Sequence, residues 1–154
     1  MKPLNLPKES QEALLNGASM FIIPCKLIKT PMTRKGKHLG FITYNEESKY
    51  KIGDEVYIQE EQDIEDDMLF NPYGESTELT ENVIIYKATI KDVKVVRVHE
   101  LSDSILVSLD KDLMNSLVYM ESKGLKHDFR IWYNEQYGNY NENPYVFLYG
   151  VERI

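Results

Sequence analysis

The sequence predicts an α+β domain, a small mixed β-barrel flanked by two to three helices. Three observations lead there. Aromatic residues make up 11% of the chain, with eleven Tyr, a composition that favours strands. A ribbon from Val83 to His99 sets Ile84, Tyr86, Ala88 and Ile90 on one parity, then loses that parity around Lys91–Lys94. A strand does this where it bulges and bends at a barrel corner. Helical patterns flank this strand-rich centre, and an alternating strand, Tyr145 to Arg153, ends the sequence.

With 154 residues the expectation is one domain spanning 1–154, large enough to bury a core without disulfides or metal. The single cysteine, Cys25, rules out an internal disulfide and fits a reducing compartment. No apolar run reaches the ~18 residues of a membrane span. The opening MKPLNLPKESQE lacks the apolar core of a signal peptide, so the cytoplasm is the expected location and no membrane partner is expected.

The elements follow in order. Pro7 to Gly17 reads as a short helix, with Pro in the first turn, acids near the positive end of the dipole and Gly17 at the left-handed C-terminal position. Ala18 to Ile28 is strand-like, with Pro24 marking an edge or a bulge. Residues 30 to 50 read as a loop holding a short strand, Leu39–Tyr44, bracketed by Gly36 and Gly40. Lys51–Asp54 turns into a strand from Glu55 to Glu61, where period 2 puts Val56, Ile58 and Glu60 on one face. If that face is the core side, the Glu60 carboxylate points inward and must find partners there. Residues 61–82 read as a long surface loop with a turn at Asn71–Gly74. After the Val83–His99 ribbon, Ser108 is placed to cap a helix running to Lys123 with Leu113, Leu117 and Met120 on one stripe, and Gly124 ends it. A helix around Asp128 carries Phe129 and Trp132. A turn-rich hinge from Tyr137 to Pro144 leads into the last strand.

The net charge of −7 argues against a generic phosphate-backbone binder. The charge is unevenly placed, however. Asp54 to Glu81 holds eleven acidic residues and no Lys or Arg, while Lys26 to Lys37 holds five basic residues and no acid. A local basic surface is therefore compatible with an acidic chain, although two solvated loops of opposite sign are the plainer reading.

Four segments, taken together, resemble a known family: Gly53-Asp54-Glu55-Val56-Tyr57-Ile58-Gln59-Glu60, Val95-Val96-Arg97-Val98, Ile131-Trp132 through Tyr137-Gly138, and Asn143-Pro144-Tyr145-Val146-Phe147. Their order and spacing resemble the ASCH-domain family, most closely its bacteriophage and prophage members. The resemblance implies a PUA-like barrel and a cleft that binds RNA or a nucleotide-like ligand. Some small relatives deacylate acetylated cytidine with a Lys and a Thr from a segment after the first helix. Here that segment is Gly17 to Pro24, with Ser19 and Ile22 at those two positions, so binding without catalysis is the implied activity.

The candidate ligand-binding residues are Glu60, Ser19, Lys26, Arg97, Asn143, Tyr145 and Tyr140. Glu60 occupies the family's cleft Glu and could bond an amino group of a base, or instead pair with Arg97 or Lys26. Lys26 lies two residues past the family's Arg, and its plain reading is a surface lysine. Ser19 has a hydroxyl but no evident base beside it. Tyr140 and Tyr137 are placed to stack bases, whereas Trp132 is expected to pack the last helix. Neither Cys25 nor His38, His99 and His127 falls in a metal-ligand spacing, and no cofactor is implied. A hydrolase acting on an acylated nucleoside, and an acidic adaptor that mimics nucleic acid towards a basic protein partner, are the alternative functions.

Overall fold

A computed structural model describes residues 1–63, 80–110 and 124–154. Among these residues the chain is mixed α+β. Strands β1 (Lys2–Pro3), β2 (Met20–Pro24), β5 (Glu55–Asp63), β6 (Thr80–Arg97) and β7 (Tyr145–Arg153) form one sheet in the order β1-β5-β6-β7-β2. Strands β3 (Leu27–Arg34) and β4 (Lys37–Asn45) form a separate two-stranded sheet. The helices are α1 (Lys8–Leu15), α2 (Asp103–Leu109) and α3 (Leu125–Gln136). No helix of the described residues is long and apolar enough to cross a membrane.

Strand β6 organises the sheet. Its first half pairs antiparallel with β5 and its second half with β7, and the two ladders overlap only at Ala88 and Thr89. The register shifts at Ile90/Asp92, inside the stretch where the sequence parity fails. The ribbon therefore bends as predicted. Among the described residues β1 and β2 remain the two outer strands and do not meet, so the five-stranded sheet is open where a closed barrel was expected.

Both faces of the sheet are buried, which the alternation of β2 and β7 explains. Phe21, Phe147 and Tyr149 point to one side, where they join Leu4, Leu14, Tyr50, Val56, Ile58, Tyr86 and Ile90. Ile22, Val146 and Leu148 point to the other, against Val98, Leu101 and Leu106 and the α3 residues Leu125, Phe129 and Tyr133. Phe21 stacks on Tyr149 with centroids 4.9 Å apart, and Tyr50 packs edge-on against Tyr149 at 5.5 Å. The Tyr50 and Tyr149 hydroxyls reach Pro3 O (2.7 Å) and Ser48 Oγ (2.7 Å), so these large rings are buried with their polar tips satisfied.

Several expectations are corrected. The 30–50 loop is a hairpin. Lys35 and Gly36 both have positive φ (52° and 75°), the requirement of a two-residue hairpin turn, and Gly40 (φ 118°) sits at a register shift. Ser102, not Ser108, caps a helix: its Oγ accepts from Ile105 N at 3.5 Å, while Ser108 lies inside α2 and bonds back to Ser104 O (2.9 Å). The expected stripe at Leu113, Leu117 and Met120 lies outside the described residues, as does the Asn71–Gly74 turn. Gly124 (φ 109°) stands at the N-terminus of α3. β1 was not expected. It pairs parallel with β5, and Lys2 Nζ binds Asp54 Oδ2 at 2.8 Å.

Candidate functional site

The last residues of β6 and the turn before β7 converge at one end of the sheet. Register places Arg97 opposite Tyr145, so both side chains share a face. The Arg97 guanidinium lies over the Tyr145 ring, 4.6 Å from its centroid. This is a cation–π contact at an exposed position, and among the described residues Arg97 has no acidic partner. Arg97 Nη1 also makes a long bond to Asn143 O (3.5 Å).

The turn that presents Tyr145 is tightly fixed. Tyr140–Glu142 is a single 3₁₀ turn, and Asn143 after it is left-handed (φ 51°, ψ 55°), a conformation Asn tolerates better than most residues. Asn143 Oδ1 accepts from His99 N at 3.0 Å, Val98 N donates to Pro144 O at 2.9 Å, and Asn134 Oδ1 accepts from Tyr140 N at 3.1 Å. His99 Nε2 meets Tyr140 O at 2.6 Å. A carbonyl only accepts, so the proton of this bond sits on His99 Nε2, and in the neutral ring Nδ1 is then an acceptor. The His99 and Tyr140 rings lie 4.5 Å apart.

On the α3 side of this turn is an aromatic layer. Tyr140 packs on Phe129 and Tyr133, with centroids 6.2 and 6.0 Å away. Burial pushes the phenols of Tyr133 and Tyr137 up to about 12, and the Tyr133 hydroxyl has no hydrogen-bond partner. Trp132 packs on Phe129 (5.7 Å) and Tyr137 (6.1 Å), in line with its expected packing role.

Three of the seven candidate residues therefore meet, Arg97, Asn143 and Tyr145, while Tyr140 belongs to the same turn but packs on the α3 side. Lys26 follows Cys25, whose N donates to Tyr145 O at 3.0 Å, so its main chain lies near Tyr145 in space. The Lys26 main chain is tied to Glu46 by Lys26 N to Glu46 Oε1 (3.2 Å) and Glu46 N to Lys26 O (2.9 Å), and its side chain is exposed.

Glu60 and Ser19 lie elsewhere. Glu60 is exposed, contrary to the inward reading. The extra residue of the β5–β6 bulge is Ile85 on β6, so Glu60 keeps the parity of Val56 and Ile58, but Gln59, Glu60 and Glu61 are all exposed because the strand there has run past the core. No ion pair of Glu60 with Arg97 or Lys26 forms. Ser19 is exposed near the far end of β7, ~20 Å of strand away from Tyr145. Its main chain bridges Ser108 O (3.2 Å) and Val151 N (2.8 Å).

The segment where the resemblance puts the cleft borders a recess of about 70 Å³ lined by Met20, Phe21, Ile22, Phe129 and Trp132, with Glu9, Ser10 and Asp110 among its polar residues. Among the described residues the lining is mainly apolar and contains no Lys, Arg or His. Cys25 is half-buried, and burial and the nearby Glu46 carboxylate raise its thiol pKa, which disfavours the nucleophilic thiolate. No group of three His, Cys, Asp or Glu side chains that could hold a metal occurs among the described residues.

Sequence reasoning missed His99 as a member of this surface. Its role depends on the Tyr140–Asn143 turn folding back onto β6, and the available signal was its place two residues after Arg97 at the end of the ribbon. No family model, curated protein or solved structure matches this chain.

Proposed function

We propose that this chain is an RNA- or nucleotide-binding domain of the ASCH, PUA-like type, with its open sheet a variant of that barrel, and that it binds without catalysis. The observation that carries the reading is the exposed Arg97 guanidinium stacked on Tyr145, at the turn that also holds the His99–Tyr140 pair. A planar cation on an aromatic ring offers two surfaces to a nucleobase and a forked donor to a phosphate. The Asn143 turn fixes these groups before any ligand arrives, which lowers the ordering cost of binding. His99 Nδ1 supplies an acceptor for an amino or hydroxyl group. No nucleophile paired with a base lies at this surface, so the acylated-nucleoside hydrolase is disfavoured. The acidic stretch that would serve a basic protein partner lies largely outside the described residues.

Titration with the four ribonucleoside monophosphates tests the reading. Loss of a base-stacking residue costs ~1–3 kcal/mol, so Tyr145→Ala should weaken the best-bound nucleotide by roughly ten- to a hundredfold. Arg97→Ala should weaken it in the same direction, with both variants keeping the wild-type circular dichroism. The reading fails if the wild-type protein binds none of the four at low salt, or if both variants bind as it does.

A further inference from the structure

The β3–β4 hairpin is built unlike the rest of the chain. Among the described residues its strands pair only with each other. The side chains from Thr30 to Leu39 and that of Phe41 are exposed, including Leu39 at 57% and Phe41 at 60%. A lone two-stranded ribbon is marginal in water, and apolar side chains bare on it mark a surface that something covers.

Charge says what kind of partner fits. The stretch Lys26–Asn45 holds five Lys or Arg and no acid. Taking those five positive charges from the total of −7 leaves −12 on the remainder, so the basic character of the chain is concentrated here. Arg34, Lys35 and Lys37 are exposed and form no ion pair with a described residue. Arg34 and Lys37 stand opposite each other in register and share a face with Met32. The other face carries Thr33, His38 and Phe41, with the His38 and Phe41 rings 5.0 Å apart. Cations on one face and rings on the other match a polymer that carries both phosphates and bases. An acidic peptide would meet the cations and leave the rings without a counterpart.

Position supplies the second argument. The hairpin leaves the sheet at Cys25–Lys26, where Cys25 N bonds Tyr145 O at 3.0 Å, so its root adjoins the Arg97–Tyr145 surface. We propose that the β3–β4 hairpin is an arm that grips the phosphodiester backbone of a single RNA strand whose bases lie on the Arg97–Tyr145 surface. This rests on the binding function proposed above and extends it from a nucleotide to a strand. The ligand that satisfies both surfaces is longer than a mononucleotide and binds with a salt dependence that a mononucleotide lacks.

The test compares a labelled oligouridylate of about twelve nucleotides with UMP, over a range of salt, on wild-type protein and an Arg34→Gln/Lys35→Asn/Lys37→Gln variant. Asn at position 35 keeps a residue that tolerates positive φ. Each backbone contact on a single strand contributes ~0.7 to the slope of log K against log salt, so losing three should flatten it by about two. Affinity for the oligomer at low salt should fall at least tenfold, while UMP binding stays at the wild-type value. An unchanged slope and affinity in the variant would overturn the arm and leave the Arg97–Tyr145 reading standing. Failure of wild-type protein to bind either UMP or oligomer would remove both. Preference for duplex over single-stranded RNA overturns the proposal. So does wild-type self-association that the variant loses while it keeps oligomer binding, which assigns the hairpin to a second copy of the chain.

Discussion

The five-stranded sheet and the β3–β4 hairpin are both antiparallel β-structure, but they are held together by different things. The sheet buries side chains on both faces, with Phe21, Tyr149 and Val56 on one and Ile22, Val146 and Tyr133 on the other. The described side chains of the hairpin, Leu27, those from Thr30 to Leu39, and Phe41, are exposed, and its turn owes its form to backbone geometry at Lys35, Gly36 and Gly40. The difference separates two jobs. A surface on the sheet, such as Arg97–Tyr145, is rigid because the layer beneath it is packed. A ribbon without such a layer is free to adapt to what it touches, at the cost of contributing little to stability.

Mutations can break or sharpen this contrast. The largest effect is expected in the sheet. Phe21→Ala removes a ring that stacks on Tyr149 and packs edge-on to Tyr50, and should cost ~3–5 kcal/mol in urea unfolding. A cost below about 1 kcal/mol would mean that the stacked face does not carry the fold.

Tyr133→Phe probes the opposite face more gently. The buried hydroxyl has no hydrogen-bond partner, so its removal should be neutral or stabilising by up to ~1 kcal/mol. The pH response has a definite sign. The folded-state phenol is raised from 10 to about 12 by burial, so its contribution is fully present below pH 10 and is lost as pH rises from 10 towards 12. The Phe variant should lose less stability over that window than wild type, which alkaline urea titrations would register. An equal loss would assign the alkaline transition to Tyr137 and other groups.

The smallest effect is expected in the hairpin. Phe41→Ser on the bare ribbon should change global stability by less than about 0.5 kcal/mol. Amide exchange should remain fast in β3–β4 and slow in β6–β7. A large global loss would show that the hairpin is packed after all and that the contrast is false.

The same contrast explains what could be read from the sequence. The strands Glu55–Asp63 and Thr80–Arg97 show period-2 burial over part of their length, Tyr145–Arg153 is a β-rich run buried on both faces, and α1 and α3 show helical stripes, so their positions were legible to within a few residues. The hairpin was not, because hydrophobic alternation reports a buried face and the described side chains from Thr30 to Leu39 are all exposed. Its Pro31, Gly36 and Gly40 carried the signature of a loop instead. Two-residue β1 is too short for any period. Glu60 was misplaced because alternation gives its face but not where the core ends, and β5 runs past the core at Gln59. Of the candidate residues, the structure brings Arg97, Asn143 and Tyr145 together. His99 was missed because a main-chain bond to Asn143 across the turn defines it. Ser108 was read as a cap because it precedes an apolar stripe, but it lies inside α2, a helix not expected from the sequence and capped by Ser102.

The strand order has one more consequence. Every strand before residue 64 that belongs to the main sheet lies on its flanks, with β1 and β5 on one side and β2 on the other, while β6 and β7 from the second part of the chain fill the middle. The earlier half thus clasps the later one from both edges. A protease that cuts once between Asp63 and Thr80 would sever the chain without separating its pieces, and fragments 1–63 and 80–154 expressed apart should assemble on mixing and elute together. The fold is in effect a ready-made split protein.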